Sequence, residues 1–485
     1  MSARIVVGAA AAALFGAWLA DATARWRAAR RKRLEWLAGG AALKVRLLSM
    51  RRRDFCPAQS ISYANTDPLL VVEGTGATLT DEAGRRFLDT RNNVCHVGHA
   101  HPAVAAAVAQ QVAVLNTNTR YLHMNVCGLA RKLLDTMPAP LCDGVVFFVN
   151  SGSEANDLAV RLARTATGNE RCIVVDHAYH GHTITALGLS PYKYEHRSFE
   201  GRGKPSWVIK CPAPDVYRGA HRGADAAEQY SRSVEEACAA GDVAAFFIES
   251  GMSVAGVILP PPGYLARCYA AVRGAGGVCV ADEVQTGLGR FGECWWGFEQ
   301  QGVVPDIVTM GKPIGNGMPL AAVVCTRAIS DAFAKGPEYF NTFGGNPVCA
   351  AAGLAVFDTI ERENLRGNAV AVGAALRRLL AELAATDDGA LIGDVRGCGL
   401  FVGIDLVLDR QSRAPAPKQT SRLCSALKDN HLILTSIDGP HDNVLVLKPP
   451  LCFSEANAET FVAAMRVELK AMRGLDLSAT THTPT

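Results

Sequence analysis

Val278-Cys279-Val280-Ala281 runs into Asp282-Glu283-Val284-Gln285, and the short run Ile307-Val308 leads into Thr309-Met310-Gly311-Lys312-Pro313-Ile314-Gly315-Asn316-Gly317, which sets Lys312 thirty residues beyond Asp282. Both runs are apolar and rich in valine or isoleucine, the pattern of strands buried on both faces. Each ends beside one ionisable residue, Asp282 or Lys312. A lysine and an aspartate at strand ends are what a pyridoxal phosphate enzyme requires. The amine forms a Schiff base with the cofactor aldehyde, and the carboxylate keeps the pyridine nitrogen protonated. Alone, such residues are more often structural, so the reading depends on what surrounds them.

Further strand-like runs lie at Val145-Val146-Phe147-Phe148-Val149, Cys172-Ile173-Val174-Val175 and Ala244-Ala245-Phe246-Phe247-Ile248. After the first comes Ser151-Gly152-Ser153-Glu154, with Ser151 and Glu154 at the spacing of a capping box. Leu158, Ala159 and Leu162 then recur at helical spacing. Strands alternating with helices predict an α/β fold with a mostly parallel sheet, and ligands at the carboxyl ends of its strands. The expected organisation is an N-terminal extension at 1–45, a segment at 46–100 joining the small domain, a large cofactor domain at 101–343, a smaller α+β domain at 344–475 and a disordered tail at 476–485. The stretch Gly399-Leu400-Phe401-Val402-Gly403 is read as a strand of the smaller domain.

At 485 residues the chain exceeds one ordinary core, and 49% apolar with 20% charged residues describes a globular enzyme. The net charge of +3 hides an asymmetry: residues 1–53 carry twelve Lys/Arg against two acids, so the remainder stands at −7. Nothing in that acidic body favours nucleic acid. The fifteen cysteines contain no Cys-x-x-Cys pair, so no metal site is expected, and free thiols fit a reducing compartment. Ile5 to Ala20 is apolar and is followed by Arg25, Arg27, Arg30, Arg31, Lys32 and Arg33. A mitochondrial presequence is the expectation. The alternatives are a cytosol-facing membrane anchor through residues 5–20 and an unstructured extension that leaves the protein cytosolic.

Read together, residues 54 to about 472 resemble the class III aminotransferases, among the fold-type I pyridoxal phosphate enzymes. The resemblance rests on Asp282 through Gly287 and on Pro305-Asp306-Ile307-Val308-Thr309-Met310-Gly311-Lys312. It implies that Lys312 is the Schiff-base lysine, Asp282 the partner of the pyridine nitrogen and Gln285 a neighbour of the ring hydroxyl. Gly152 and Ser153 take the positions that bind the cofactor phosphate, as a helix N-terminus can. Tyr179 matches the aromatic that stacks on the ring, and Glu249 a residue beside the cofactor on the substrate side. Thr342 matches a residue reaching the phosphate of a neighbouring subunit, which implies a homodimer or a tetramer built from dimers.

Many class III transaminases place an arginine three residues before a Pro-Pro pair, where it clamps a substrate carboxylate. Counting back from Pro449-Pro450 puts Val446 there, and Lys448 is assigned to the other face. Ser250-Gly251-Met252-Ser253-Val254 also lacks a Pro and second acid common after the Glu249 position. The segments Asn92 to Pro102, Leu115 to His123, Asp176 to His182 and Ser190-Pro191-Tyr192-Lys193 resemble one subgroup, the phospho-lyases acting on ethanolamine phosphate or 5-phosphohydroxylysine. That resemblance implies elimination of phosphate from a small phosphorylated amine, with Lys193, Arg120 and Tyr192 as candidates for the substrate phosphate. An alanine–glyoxylate type ω-aminotransferase is the alternative.

Overall fold

Val243–Glu249 is buried along its whole length, and its side chains alternate between two cores. Phe246 and Ile248 enter one with Val234 and Tyr269; Ala245 and Phe247 enter the other with Leu158 and Leu162. Two covered faces are why these strands read as unbroken apolar runs rather than as alternating ones. The computed structural model describes residues 31–475 apart from 33, 65 and 197–202. The stretch 5–20 and the tail 476–485 lie outside those residues. Among the described residues, no helix is long and apolar enough to cross a membrane.

Seven strands form the large sheet, in the order Val145–Val149, Ala321–Cys325, Ile307–Met310, Val278–Asp282, Val243–Glu249, Arg171–Val175 and Val208–Cys211. Only Ala321–Cys325 runs against its neighbours. The other six share one direction, so Val149, Glu249, Asp282 and Met310 all finish at the same edge. A mostly parallel sheet with helices on both faces is what the alternating pattern predicted. Sequence patterning missed two of its strands, Val208–Cys211 and Ala321–Cys325.

A second, antiparallel sheet holds Ile392–Cys398, Phe401–Asp409, Ser436–Asp438 and Val444–Leu447. Here the sequence reading needs correcting: Gly399 and Leu400 form the turn between two strands, and the strand begins at Phe401. Gly399 has φ +53°, and a Cβ there would meet the Arg290 carbonyl oxygen at 2.5 Å, so a glycine is required.

The described residues through 74, together with 78–87, make one compact unit; 75–77 and 88–475 make the other. In the first, a helix covers 34–54, and its buried Lys44 pairs with Asp67 at 2.6 Å and Glu82 at 3.5 Å.

Candidate active site

The strand Val145–Val149 gives way to a two-residue turn and the helix Gly152–Thr167. Ser151 caps the helix by accepting from the Glu154 N–H at 3.2 Å. Only half of the expected capping box forms. The Glu154 carboxylate passes over Ser151 and accepts instead from the Asn150 N–H at 3.1 Å and the Asn150 and Asn341 side chains, both at 2.9 Å. The first turn of this helix is crowded from outside. A Cβ on Gly152 would lie 2.8 Å from Val284 Cγ2. Gly181, at φ +132°, passes so close that its Cβ would lie 2.4 Å from Ser153 Oγ, which also accepts from the His182 N–H at 3.0 Å.

Asp282 sits at the end of the central strand, 3% exposed. Its Oδ2 accepts from Asn156 Nδ2 and His180 Nδ1, both at 2.8 Å, and its Oδ1 from the Val284 N–H at 3.1 Å. Asn156 is fixed in turn: its Nδ2 also donates to the His180 carbonyl at 2.8 Å, and its Oδ1 accepts from Thr309 Oγ1 at 2.7 Å. The carboxylate is therefore oriented by three donors before anything binds. Gln285 accepts from the Asn93 side chain.

Lys312 follows the strand Ile307–Met310 and opens the short 3-10 turn Lys312–Gly315. Burial holds its amine below the usual lysine range, against the opposing pull of Asp282, Glu249 and Asp438. Glu249 lies beside Asp282 on the adjacent strand and accepts from the Tyr179 N–H at 3.1 Å and the Ser253 N–H at 3.2 Å. Burial raises its carboxyl to about 7, helped by Asp282 and opposed by His180 and the two N–H donors.

A cavity of ≈ 350 Å³ opens onto this edge, and Gly152, Ser153, Tyr179, Asp282, Gln285 and Lys312 all line it. Glu249 stands behind Tyr179. Tyr192 and Lys193 lie beside Tyr179, with the two tyrosine rings 6.2 Å apart and Lys193 Nζ 5.9 Å from the Tyr179 centroid. Two candidates do not join the cluster in the single chain. Thr342 is exposed. Arg120 is 63% exposed, stacks at 4.1 Å over Phe340 and stands 3.9 Å from Glu338.

The structure also corrects one placement. Val446 is buried in an apolar cluster with Val257, Phe291, Phe401 and Val444, as a residue of a covered strand. Lys448 does not turn away from the site: residues two apart in a strand share a face, so alternation itself puts it on the side of Val446 and not on the opposite one. Its buried amine donates to Ser253 Oγ at 2.8 Å and stands 3.9 Å from Asp438 Oδ2. Asn156, His180, Asn93 and Asp438 were also not singled out from sequence. His180 had a signal, as the immediate neighbour of Tyr179.

An α/β sheet with a half-buried lysine and a buried aspartate at its carboxyl edge defines a fold-type I pyridoxal phosphate enzyme. Residues 61–469 match the family described as Aminotransferase class-III, and the chain belongs to it. It is similar to a Drosophila melanogaster protein named alanine–glyoxylate aminotransferase 2-like, 46% identical over 93% of this chain and 92% of that one. It is also similar to the Caenorhabditis elegans ethanolamine-phosphate phospho-lyase homolog 1, 42% identical over 87% of this chain and 93% of the relative. Among solved structures, an Arthrobacter phospholyase in complex with phosphoethanolamine superposes with a TM-score of 0.81 at 39% identity, covering 89% of this chain and all of that one. The chain is thus a class III, pyridoxal-phosphate-dependent enzyme.

Proposed function

We propose that this enzyme is a phospho-lyase that eliminates phosphate and ammonia from a small phosphorylated amine, ethanolamine phosphate or 5-phosphohydroxylysine. The observation that carries the reading is Val446, buried among apolar side chains where a transaminase of this family would hold its carboxylate clamp. The phosphoethanolamine complex of the Arthrobacter relative supports the substrate class.

The residues fit pyridoxal phosphate. Lys312 would link to it, and Asp282, already aligned by Asn156 and His180, would receive the pyridine N–H. The N–H groups at Gly152 and Ser153 would take its phosphate, with Tyr179 against the ring and Gln285 near the ring hydroxyl. In this reading Glu249 positions the Tyr179 backbone through its hydrogen bond. Thr342, exposed in one chain, would reach a second subunit's cofactor in a homodimer.

When bound, the cofactor withdraws electrons and acidifies the carbon beside the substrate nitrogen. Lys312 Nζ takes that proton; its depressed basicity leaves more of it neutral and able to do so. Phosphate departs from the adjacent carbon with the electron pair of the C–O bond, and the enamine left behind hydrolyses. For ethanolamine phosphate, substrate and water give acetaldehyde, ammonia and inorganic phosphate. No second substrate is consumed. Tyr192 and Lys193, beside Tyr179, are candidates for meeting the phosphate, and Arg120 is a third.

The second reading, an alanine–glyoxylate type aminotransferase, is favoured by the name of the Drosophila relative. One experiment separates them. Ethanolamine phosphate added to purified enzyme without any oxo acid should release phosphate and ammonia over many turnovers. A single conversion of the cofactor's visible spectrum that halts, then resumes on adding pyruvate or glyoxylate, would establish the aminotransferase instead.

A further inference from the structure

Lys448 is a buried lysine that the reaction above does not use, and its surroundings are built rather than incidental. Its backbone N–H donates to the Thr90 carbonyl at 2.8 Å, and three residues on, the Leu451 N–H donates to the His96 carbonyl at 2.7 Å. Arg290, fully buried, donates to the Pro449 carbonyl and, at 3.1 Å, to His96 Nδ1. The segment carrying Lys448 is thus anchored on both sides. A second chain of contacts ties it to the catalytic edge: Lys448 Nζ reaches Ser253 Oγ, the Ser253 N–H reaches Glu249, and Glu249 pairs with Asp282 across the sheet.

The cation's own needs are not met by these contacts. An ammonium has three donors. Ser253 takes one, and Asp438 at 3.9 Å stands beyond hydrogen-bonding distance. Taking such an ion out of water costs several kcal/mol, which a hydroxyl and one distant carboxylate offset poorly. Burial accordingly lowers Lys448 to about 8, with Lys312 and Arg91 adding to the fall and Asp438 and Glu249 opposing it. Asp438, itself raised by burial to about 6, feels Lys448, Arg91 and Lys312 as nearby cations and Asp442 as a nearby anion. Tyr192 is close enough for Asp438 to shift it upward. Lys448, a cation that belongs to no mechanism step, thus lies buried beside Asp438 and is joined through Ser253 to Glu249 at the catalytic edge.

We propose that Lys448, ahead of the candidates Tyr192, Lys193 and Arg120, is the cation that receives the substrate's phosphate monoester. The assignment rests on the phospho-lyase reading and deepens it. With the substrate amine committed at Lys312, the anion one carbon away falls toward the next cation. The electron pair of the C–O bond departs onto the phosphate oxygen, where a fixed ammonium is worth most. Asp438 acts as a positioning residue: it holds Lys448 in place without the phosphate and gives way to it when the dianion arrives.

The test uses full-length holoenzyme with Lys448→Ala and Lys448→Arg, and Lys448→Met as a substitute where alanine prevents folding. Two quantities are read: kcat/KM for phosphate release from ethanolamine phosphate, and the Kd of inorganic phosphate by calorimetry, which needs no turnover. The expected result for Lys448→Ala is a fall in kcat/KM of about 10²-fold or more and a rise in the phosphate Kd of about 10-fold. The cofactor's visible band should be unchanged, and Lys448→Arg should restore part of both losses. A Lys448→Ala enzyme within about 3-fold of wild type on both measures (under 0.7 kcal/mol) overturns the subsite. Wild-type enzyme that releases no phosphate from any phosphorylated amine overturns the phospho-lyase reading instead, and the calorimetric comparison then decides the subsite separately.

Discussion

Asn156 offers the sharpest test of the site's internal logic, because its three hydrogen bonds serve different masters. Nδ2 donates to Asp282 and to the His180 carbonyl, and Oδ1 accepts from Thr309. Asn156→Ala removes all three in a buried setting. At about 1 kcal/mol for each neutral bond and about 2 for the one to a carboxylate, the loss is about 4 kcal/mol of folding stability. Only the Asp282 share should reach the cofactor. If Asp282 is the partner of the pyridine nitrogen, loosening it weakens cofactor binding by about 2 kcal/mol, or roughly 30-fold. The control is Leu162→Ala on the same helix, a fully buried core residue whose side chain offers Asp282 no hydrogen bond. Its cavity should cost a similar 2–5 kcal/mol, as is typical for a buried leucine cut to alanine (~3.5 on average). Both variants should melt earlier in a thermal scan. In an absorbance titration of apoenzyme with pyridoxal phosphate, only Asn156→Ala should need a higher cofactor concentration. Equal affinity losses in the two variants, or none in Asn156→Ala, would refute the assigned role of Asp282.

Lys312→Ala should lose the covalent bond to the cofactor: after borohydride reduction, wild-type enzyme gains the cofactor's mass and the variant does not, with turnover down by about 10³-fold or more. Gly181→Ala places a Cβ 2.4 Å from Ser153 Oγ at a left-handed φ, so it should push the helix end aside and weaken cofactor retention on dialysis by about 10-fold or more. The pH dependence of stability follows from Lys448. Its folded pKa of about 8 lies below the unfolded 10.5, so the unfolded chain binds more protons between the two. Stability should rise with pH across that window, and the charge's full cost is present below about 8. Lys448→Met should therefore be more stable near neutrality and rise less between those values, by on the order of 3 kcal/mol; a parallel rise in both proteins would contradict a buried, charged Lys448.

How much of this was legible in the sequence depends on how locally each feature is encoded. Val278–Asp282 and Ile307–Met310 announce themselves because burial on both faces leaves no polar residue until the strand ends, so the functional residue marks its own boundary. Ala321–Cys325 was not legible: it begins with alanines, runs against its neighbours and follows a glycine-rich loop, so neither propensity nor alternation distinguishes it. The same contrast holds in the site. Asp282, Lys312 and the Gly152 turn are strand-end features. The partners that align Asp282 are not, since Asn156 comes from one turn inside a helix and His180 from a loop, and only the closed sheet brings them together. Lys448 was misassigned for a different reason: residues two apart in a strand share a face, so alternation keeps it with Val446, while the partners that fix it, Thr90, Ser253 and Asp438, come from three distant segments.

That misassignment bears on how the reaction would be chosen. At Val446 the chain lies inside a covered strand, paired with Gly403 and Ser436 and packed against phenylalanines. A cation there would have to leave that apolar cluster or stay charged within it at a cost of several kcal/mol. Two residues later the sheet has ended, and a lysine can turn toward Ser253 and Asp438 while its backbone stays anchored. In the phospho-lyase reading, the apolar residue at 446 and the cation at 448 are therefore one change rather than two. The position suited to gripping a carboxylate is filled with packing, and the charge reappears beyond the strand end, beside Ser253 and Asp438. An aminotransferase reading must explain the same pair differently. It would need Lys448 to grip the carboxylates of both amino donor and oxo acid, so Lys448→Ala would then weaken alanine and glyoxylate together, while a phosphate subsite predicts that the larger loss falls on the phosphorylated amine.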